Sequence, residues 1–365
     1  MKRIVIISML ALMTALTVSC SRKAGRWSEE KANEWYYSQD WPVGVNYIPG
    51  YAVNPIEWWQ ESTFNPSVID WELGIAQDLG LNVVRIFLND LVYFDDPKGF
   101  KGRLNQFLDI CEKHGIKAIV TFYTNGGKIR EPKLGPQPEP TPGIHNPCWV
   151  PSPGPAVLAD PAQWPKQKKY VQDLLRTFKN DSRIYLWHLF NEPSWGTRNG
   201  EEILPFMREE FKWARQVNPS QPLSAPFDNM NNHPRMQYPV FSFLGENVDV
   251  ITFHSYNDPD LVQTTCIDKF KQYGRPVICT EWLARPAGST VEGVLPLLKE
   301  NNIGAVNFGL FKNKTQTYLN WSSKAGDPDP ELWLHDLLFE DGTPYREAET
   351  ALIRELTADK TMTRP

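Results

Sequence analysis

The chain has 365 residues, 41% hydrophobic and 22% charged, which suits a globular protein with one large core or two small ones. A net charge of −5 and a pI near 5.8 argue against a nucleic-acid or anionic-membrane surface, so a neutral ligand fits better. The 14 Trp and 13 Tyr exceed what a core of this size needs, and such rings also stack on flat ligand faces.

Lys2 and Arg3 precede an apolar run from Ile4 to Val18, a secretory signal pattern too short and wrongly flanked for a spanning helix. It ends in Leu16-Thr17-Val18-Ser19-Cys20, which resembles a bacterial lipoprotein signal and implies removal of residues 1–19 and lipidation of Cys20. The resemblance places the mature protein in the bacterial cell envelope, anchored by lipid at the outer membrane or the periplasmic face. Residues 20–40, charged and aromatic, read as a tether and a cover for the bottom of the domain, and residues 41–365 as a single domain.

A β-α rhythm then begins. Val43 to Ile48 reads as a strand, and apolar spacing from Val68 to Leu79, closed by Gly80, as a helix. Leu81 to Leu88 is the second strand, and Leu104, Phe107, Leu108 and Cys111 mark a helix ended by Gly115. Ile116 to Tyr123 is the third strand, followed by a Pro- and Gly-dense interruption from Thr124 to Asp160. A connection this long is functional or disordered, and Cys148 and Trp149 favour an ordered loop at a binding face. A helix from Ala162 to Phe178 leads to the fourth strand, an apolar run that starts at Ile184 and ends in Asn191-Glu192-Pro193. The helix Ile203 to Val217 stops at Asn218-Pro219. A weak fifth strand (Pro222 to Phe227), an ill-defined helix (Arg235 to Leu244) and a sixth strand (Val248 to His254) follow. Next come an amphipathic helix (Pro259 to Tyr273), a seventh strand (Pro276 to Glu281), a helix (Val291 to Glu300) and an eighth strand (Ile303 to Leu310). A long connection, Phe311 to Pro344, precedes the last helix, Tyr345 to Leu356.

Eight strands separated by helices predict an α/β fold closed as a (β/α)8 TIM barrel. The alternative, a doubly wound open sheet, is weakened because neither GxGxxG nor GxxxxGK[ST] follows the first strand.

Aligning the strands as a barrel places Asn46, Arg85, Tyr123, Asn191, Glu192, His254, Tyr256 and Glu281 on one rim. Two glutamates at the tips of two buried strands suggest paired carboxylates. The motifs Val84-Arg85, Asn191-Glu192-Pro193, His254-Ser255-Tyr256 and Thr280-Glu281-Trp282, in this order on successive strand ends, resemble clan A glycoside hydrolases. Family 5, the cellulase and mannanase group, is the most similar, over nearly all of the mature chain.

The resemblance implies a retaining mechanism with Glu192 as acid/base and Glu281 as nucleophile. It gives Arg85 the task of keeping Glu281 ionised, with Tyr256 donating to the same carboxylate. Asn191 would hold the sugar 2-hydroxyl, and His254 would orient the acid/base or the sugar. Family members carry an aromatic floor after the last strand, for which Trp321 is the match. They usually end the third strand in His, where this chain has Tyr123, expected to take over that contact. Trp282 is a further expected sugar platform, and His188 reads as a satisfied core histidine.

The implied partner is a β-linked oligo- or polysaccharide, hydrolysed by a monomer without cofactor or metal. No CxxC pair occurs, and Cys111, Cys266 and Cys279 read as buried small hydrophobes. The rival reading is a non-catalytic glycan-binding lipoprotein of the same fold.

Overall fold

The structure, a computed structural model, describes residues 25–198, 200–228, 230 and 236–364; the signal-type segment and Cys20 lie outside them. The strands are β1 (Val43–Asn46), β2 (Val83–Phe87), β3 (Lys117–Thr124), β4 (Ile184–Asn191), β5 (Leu223–Ser224), β6 (Pro226–Phe227), β7 (Ile251–His254), β8 (Val277–Glu281) and β9 (Gly304–Phe308). They form one sheet in the order β5-β4-β3-β2-β1-β9-β8-β7-β6, with parallel pairing throughout. β5 pairs with β4 and β6 with β7, so the two short pieces are halves of the fifth barrel strand, and the ring closes through Ala225. Pro226 explains the break, because it brings no N–H to the ladder. The architecture is the expected (β/α)8 barrel.

The intervening helices start and stop where local chemistry dictates. Pro66, Pro97 and Pro239 occupy first-turn positions, where the missing N–H costs nothing. Pro239 therefore sets the start of the ill-defined helix, which runs Pro239–Asn247. The expected helix Pro259 to Tyr273 is not continuous: α-helical turns at Pro259–Val262 and Asp268–Phe270 flank a π turn at Gln263–Ile267. The hydroxyls of Thr264 and Thr265 donate back to the carbonyls of Asp260 and Leu261, competing with the helical ladder. Short helices at Pro55–Trp59 and Asp90–Asp95, capped by Asn54 and Asn89, escape a periodicity reading because they span barely more than one turn.

The barrel bottom is plugged by the helix Glu29–Tyr37, whose Tyr36 enters an apolar layer with Val83, Ile119, Leu186, Val250, Ile278 and Val306. The Tyr36 hydroxyl donates to the Asn302 carbonyl at 2.9 Å. One layer higher, apolar side chains give way to buried Arg85, Thr121, His188, Ser224 and Thr252. The site stands on this polar layer. Cys111, Cys148, Cys266 and Cys279 are free and buried. Among the described residues no helix is long and apolar enough to cross a membrane.

Candidate active site at the barrel mouth

Arg85, fully buried at the end of β2, organises the site. Its Nη1 donates to Glu281 Oε1 and to Asn46 Oδ1, both at 2.7 Å, its Nη2 to Asn191 Oδ1 at 2.5 Å, and its Nε to His188 Nδ1 at 3.0 Å. Asn46 is held in turn by donating to the carbonyls of Thr280 and Asn307.

The proton order beneath Arg85 follows from the partners. Arg85 Nε–H occupies His188 Nδ1, so the neutral ring carries its proton on Nε2 and donates to Thr252 Oγ1 at 3.0 Å. Thr252 then donates to Ser224 Oγ, and Ser224 to the Val250 carbonyl. Burial pushes His188 far below the usual histidine range, and the adjacent Arg85 charge adds to that. His188 is a satisfied core histidine, and it also fixes the plane of the guanidinium.

Glu281, at the tip of β8, is 4% exposed, and both of its oxygens are bound: Oε1 by Arg85 and Oε2 by the Tyr256 hydroxyl at 2.6 Å. Burial pushes its carboxyl up, while His254, Arg85 and Tyr256 pull it back. Glu192 is different. Strand alternation would send Asn191 and Glu192 to opposite faces, but Glu192 has φ +44°, so both side chains reach the mouth. A left-handed non-glycine residue costs ~1–3 kcal/mol and persists only where its surroundings enforce it.

Glu192 Oε1 lies 2.8 Å from His254 Nδ1, and its carboxyl is pushed up to about 7, chiefly by burial. At 24% exposure, its side chain keeps some access to water, which moderates that push. His254 is driven down to about 3, so it stays neutral near pH 7.

Single ligand-type atoms of Glu192, His254 and Glu281 all lie within 4.8 Å of one another. The set has the donors for a cation, but the Arg85 guanidinium already neutralises Glu281 at 2.7 Å. The arrangement suits a protonated carboxyl facing an ionised one.

Other predicted residues separate. Trp321 is 52% exposed and meets Tyr256 edge-on with 5.3 Å between ring centroids, beside the carboxylates. Tyr123 does not face the mouth: its hydroxyl donates to Gln167 at 2.9 Å, and its ring packs on Tyr170 and Phe206. It cannot replace the missing histidine contact. That corner is filled by Thr124, whose hydroxyl accepts from Asn191 Nδ2 at 3.4 Å. Trp282 is only 2% exposed and packs in the core, so it presents no ring face to a sugar.

One residue goes unread in the sequence. Asp228, just after β6, accepts from the Ser194 N–H at 3.2 Å and its hydroxyl at 2.6 Å, and so braces the turn that carries Glu192. Its burial and the Glu192 charge push it up to about 8. A carboxylate at the end of the fifth strand was the available signal, obscured by the weakness of that strand. Trp195 is 48% exposed three residues beyond Glu192, beside Asn125, whose Nδ2 donates to its carbonyl at 3.0 Å.

The family model Cellulase (glycosyl hydrolase family 5) matches residues 51–327. No curated protein matches the chain. Among solved structures, the chain is similar to a GH5_18 enzyme from Streptomyces cattleya in complex with Manβ1-4GlcNAc. The TM-score is 0.58 and the identity 14%, with 88% of this chain and 82% of that one covered. It is also similar to the endo-β-1,4-mannanase from Thermotoga petrophila, with TM-score 0.56, 17% identity and coverage of 88% and 77%. The exo-β-1,4-mannosidase Op5Man5 from Opitutaceae bacterium strain TAV5 gives TM-score 0.59 and 17% identity, with 88% and 60% covered.

Proposed function

This chain belongs to glycosyl hydrolase family 5 and is a glycoside hydrolase, and from that premise we propose that it cleaves a β-linked glycan with retention, by double displacement. Glu192 is the acid/base and Glu281 the nucleophile. The observation that carries the reading is the approach of a Glu192 and a Glu281 carboxyl oxygen to within 4.8 Å. Retaining sites hold their carboxyls ~5–5.5 Å apart, whereas inverting sites need ~6.5–9.5 Å to admit a water.

In the first step Glu281 attacks the anomeric carbon while the Glu192 proton passes to the departing glycosidic oxygen, leaving a glycosyl ester on Glu281. In the second, Glu192, now a carboxylate, takes a proton from water as that water displaces Glu281 from the anomeric carbon. Arg85 and Tyr256 hold the two Glu281 oxygens and stabilise its charge as it leaves. Asn191, tied to Arg85 and Thr124, offers its amide to the sugar 2-hydroxyl, and Trp321 supplies the ring against which the sugar rests.

The signal-type sequence supports delivery to the bacterial envelope with Cys20 lipidated, and one chain contains the whole catalytic set, which supports action as a monomer. The test is chemical rescue. Glu281→Ala should lose turnover and regain part of it with azide, giving a glycosyl azide of inverted configuration. Glu192→Ala should spare substrates with good leaving groups, since general acid help, worth ~10²–10⁴ in rate, matters least there. The reverse pattern would exchange the two roles.

A further inference from the structure

The segment between β3 and the helix Pro155–Ala159 does not hang free. Thr124 and Ser152 exchange backbone hydrogen bonds at its base. It then crosses the loop after β1, where the Asn54 amide donates to the Cys148 carbonyl and the Gln60 amide exchanges bonds with Gly135. It ends against the connection after β9. The Asn146 N–H donates to the Thr315 carbonyl at 2.9 Å, His145 Nδ1 meets the Leu319 carbonyl at 2.8 Å, and the Gln316 amide donates to the Thr141 carbonyl at 2.9 Å.

This wall stands on one side of the mouth. β9 occupies the eighth barrel position, opposite β4 in the closed ring, so the wall and Glu192 face each other across the catalytic centre. A general acid protonates the leaving oxygen, so the aglycone lies on the Glu192 side and the glycone extends toward the wall. Between Asn46 and the wall, the space is a cavity of about 20 Å³ lined by Phe87, Asn146, Trp149, Phe308 and Asp336. That is room for about one water. Asp336 Oδ1 and Asn146 Oδ1 are buried there without a hydrogen-bond partner, two acceptors at the place where a terminal sugar presents hydroxyl donors. On the Glu192 side, Trp195 is 48% exposed.

We infer that the enzyme is exo-acting: it accepts one sugar beyond the scissile bond and releases monosaccharide from the non-reducing end of a β-linked oligosaccharide. The inference rests on the assignment of Glu192 as the acid.

β-1,4-linked gluco- and manno-tetraoses labelled at the reducing end should yield, from the first time point, only free monosaccharide and labelled trisaccharide. Capping the 4- and 6-hydroxyls of the non-reducing sugar as a benzylidene acetal should abolish cleavage. Early di- or trisaccharide without label, or equal cleavage of capped and free substrates, would overturn exo action while leaving the hydrolase reading intact. Binding separates the wall from the chemistry. Glu192→Gln should bind the capped tetraose at least tenfold more weakly than the free one by calorimetry, and equal affinity would show that the wall is not closed. Aryl β-monoglycosides test the hydrolase reading alone, because they need no space beyond one sugar.

Discussion

Replacing Arg85 probes the site at its structural centre. The guanidinium is 0% exposed and donates to Glu281, Asn46, Asn191 and His188. In Arg85→Ala, Glu281 is left buried without its cation, which costs ~3–5 kcal/mol of stability by analogy with other broken buried pairs. Folding must therefore be checked first by chemical denaturation. For catalysis, the lost bonds to Glu281 and Asn191 are charge-assisted and worth ~1.5–3 kcal/mol each. Together, at ~1.4 kcal/mol per tenfold, they predict a fall of ~10²–10⁴ in kcat/KM.

A structural defect alone would also lower activity, so the pH profile decides. Burial already pushes Glu281 up and Arg85 opposes it. Removing the cation should raise the acidic limb of kcat/KM by ~1–3 pH units. Arg85→Lys keeps the charge and loses the fork, so its limb should move less than that of the alanine variant. A folded Arg85→Ala enzyme with less than a tenfold loss, or with an unmoved acidic limb, would refute the argument.

Glu192 is pushed up to about 7, so kcat/KM should fall as pH rises through about 7, and Glu192→Gln should remove that limb for substrates with good leaving groups. Glu72 and Glu192, with folded values of about 7 against an ordinary 4.5, bind protons more tightly in the native state. Their contribution is full below the ordinary value and is lost as pH rises through about 7, so Tm should be lower at pH 8 than at pH 5. Arg285 donates two bonds to Glu349, at 2.8 and 2.6 Å, and another to the Asp336 carbonyl, tying β8 to the connection beneath Trp321. Arg285→Ala should therefore cost ~3–5 kcal/mol in denaturation experiments. Cys20→Ser should move the protein from the membrane fraction to the soluble fraction, with acyl mass lost from its N-terminal peptide.

The barrel was legible because each buried strand is a continuous apolar run and each helix carries a period its neighbours lack. Pro222 and Pro226 blurred the fifth strand, and with it Asp228, because a strand broken at a proline gives no clear end from which to count. Glu192, Glu281, Arg85, Asn191, His254 and Tyr256 gather within hydrogen-bonding reach as strand-end counting predicts. The failures, Tyr123 and Trp282, share a cause. Alternation decides which face a side chain takes only while the strand is regular, and both residues stand at a strand's end, Tyr123 one residue before the last of β3 and Trp282 just after β8. Near the rim, positive backbone angles at Glu192 and Leu283 reset the pattern. The ordered loop at a binding face is legible in Cys148 and Trp149, but the hydrogen bonds that hold it as a wall are not, since they join residues about 170 positions apart, such as Gln316 to Thr141.

The assignment of Glu281 as nucleophile is tested most directly by trapping the intermediate. The aryl β-monoglycoside turned over fastest identifies the sugar, and its activated 2-deoxy-2-fluoro analogue slows the second step more than the departure of a good leaving group in the first. Peptide mass spectrometry of the inactivated enzyme should then find one fluorosugar, esterified to Glu281. A label on Glu192, or inactivation without any covalent sugar, would contradict the double-displacement account.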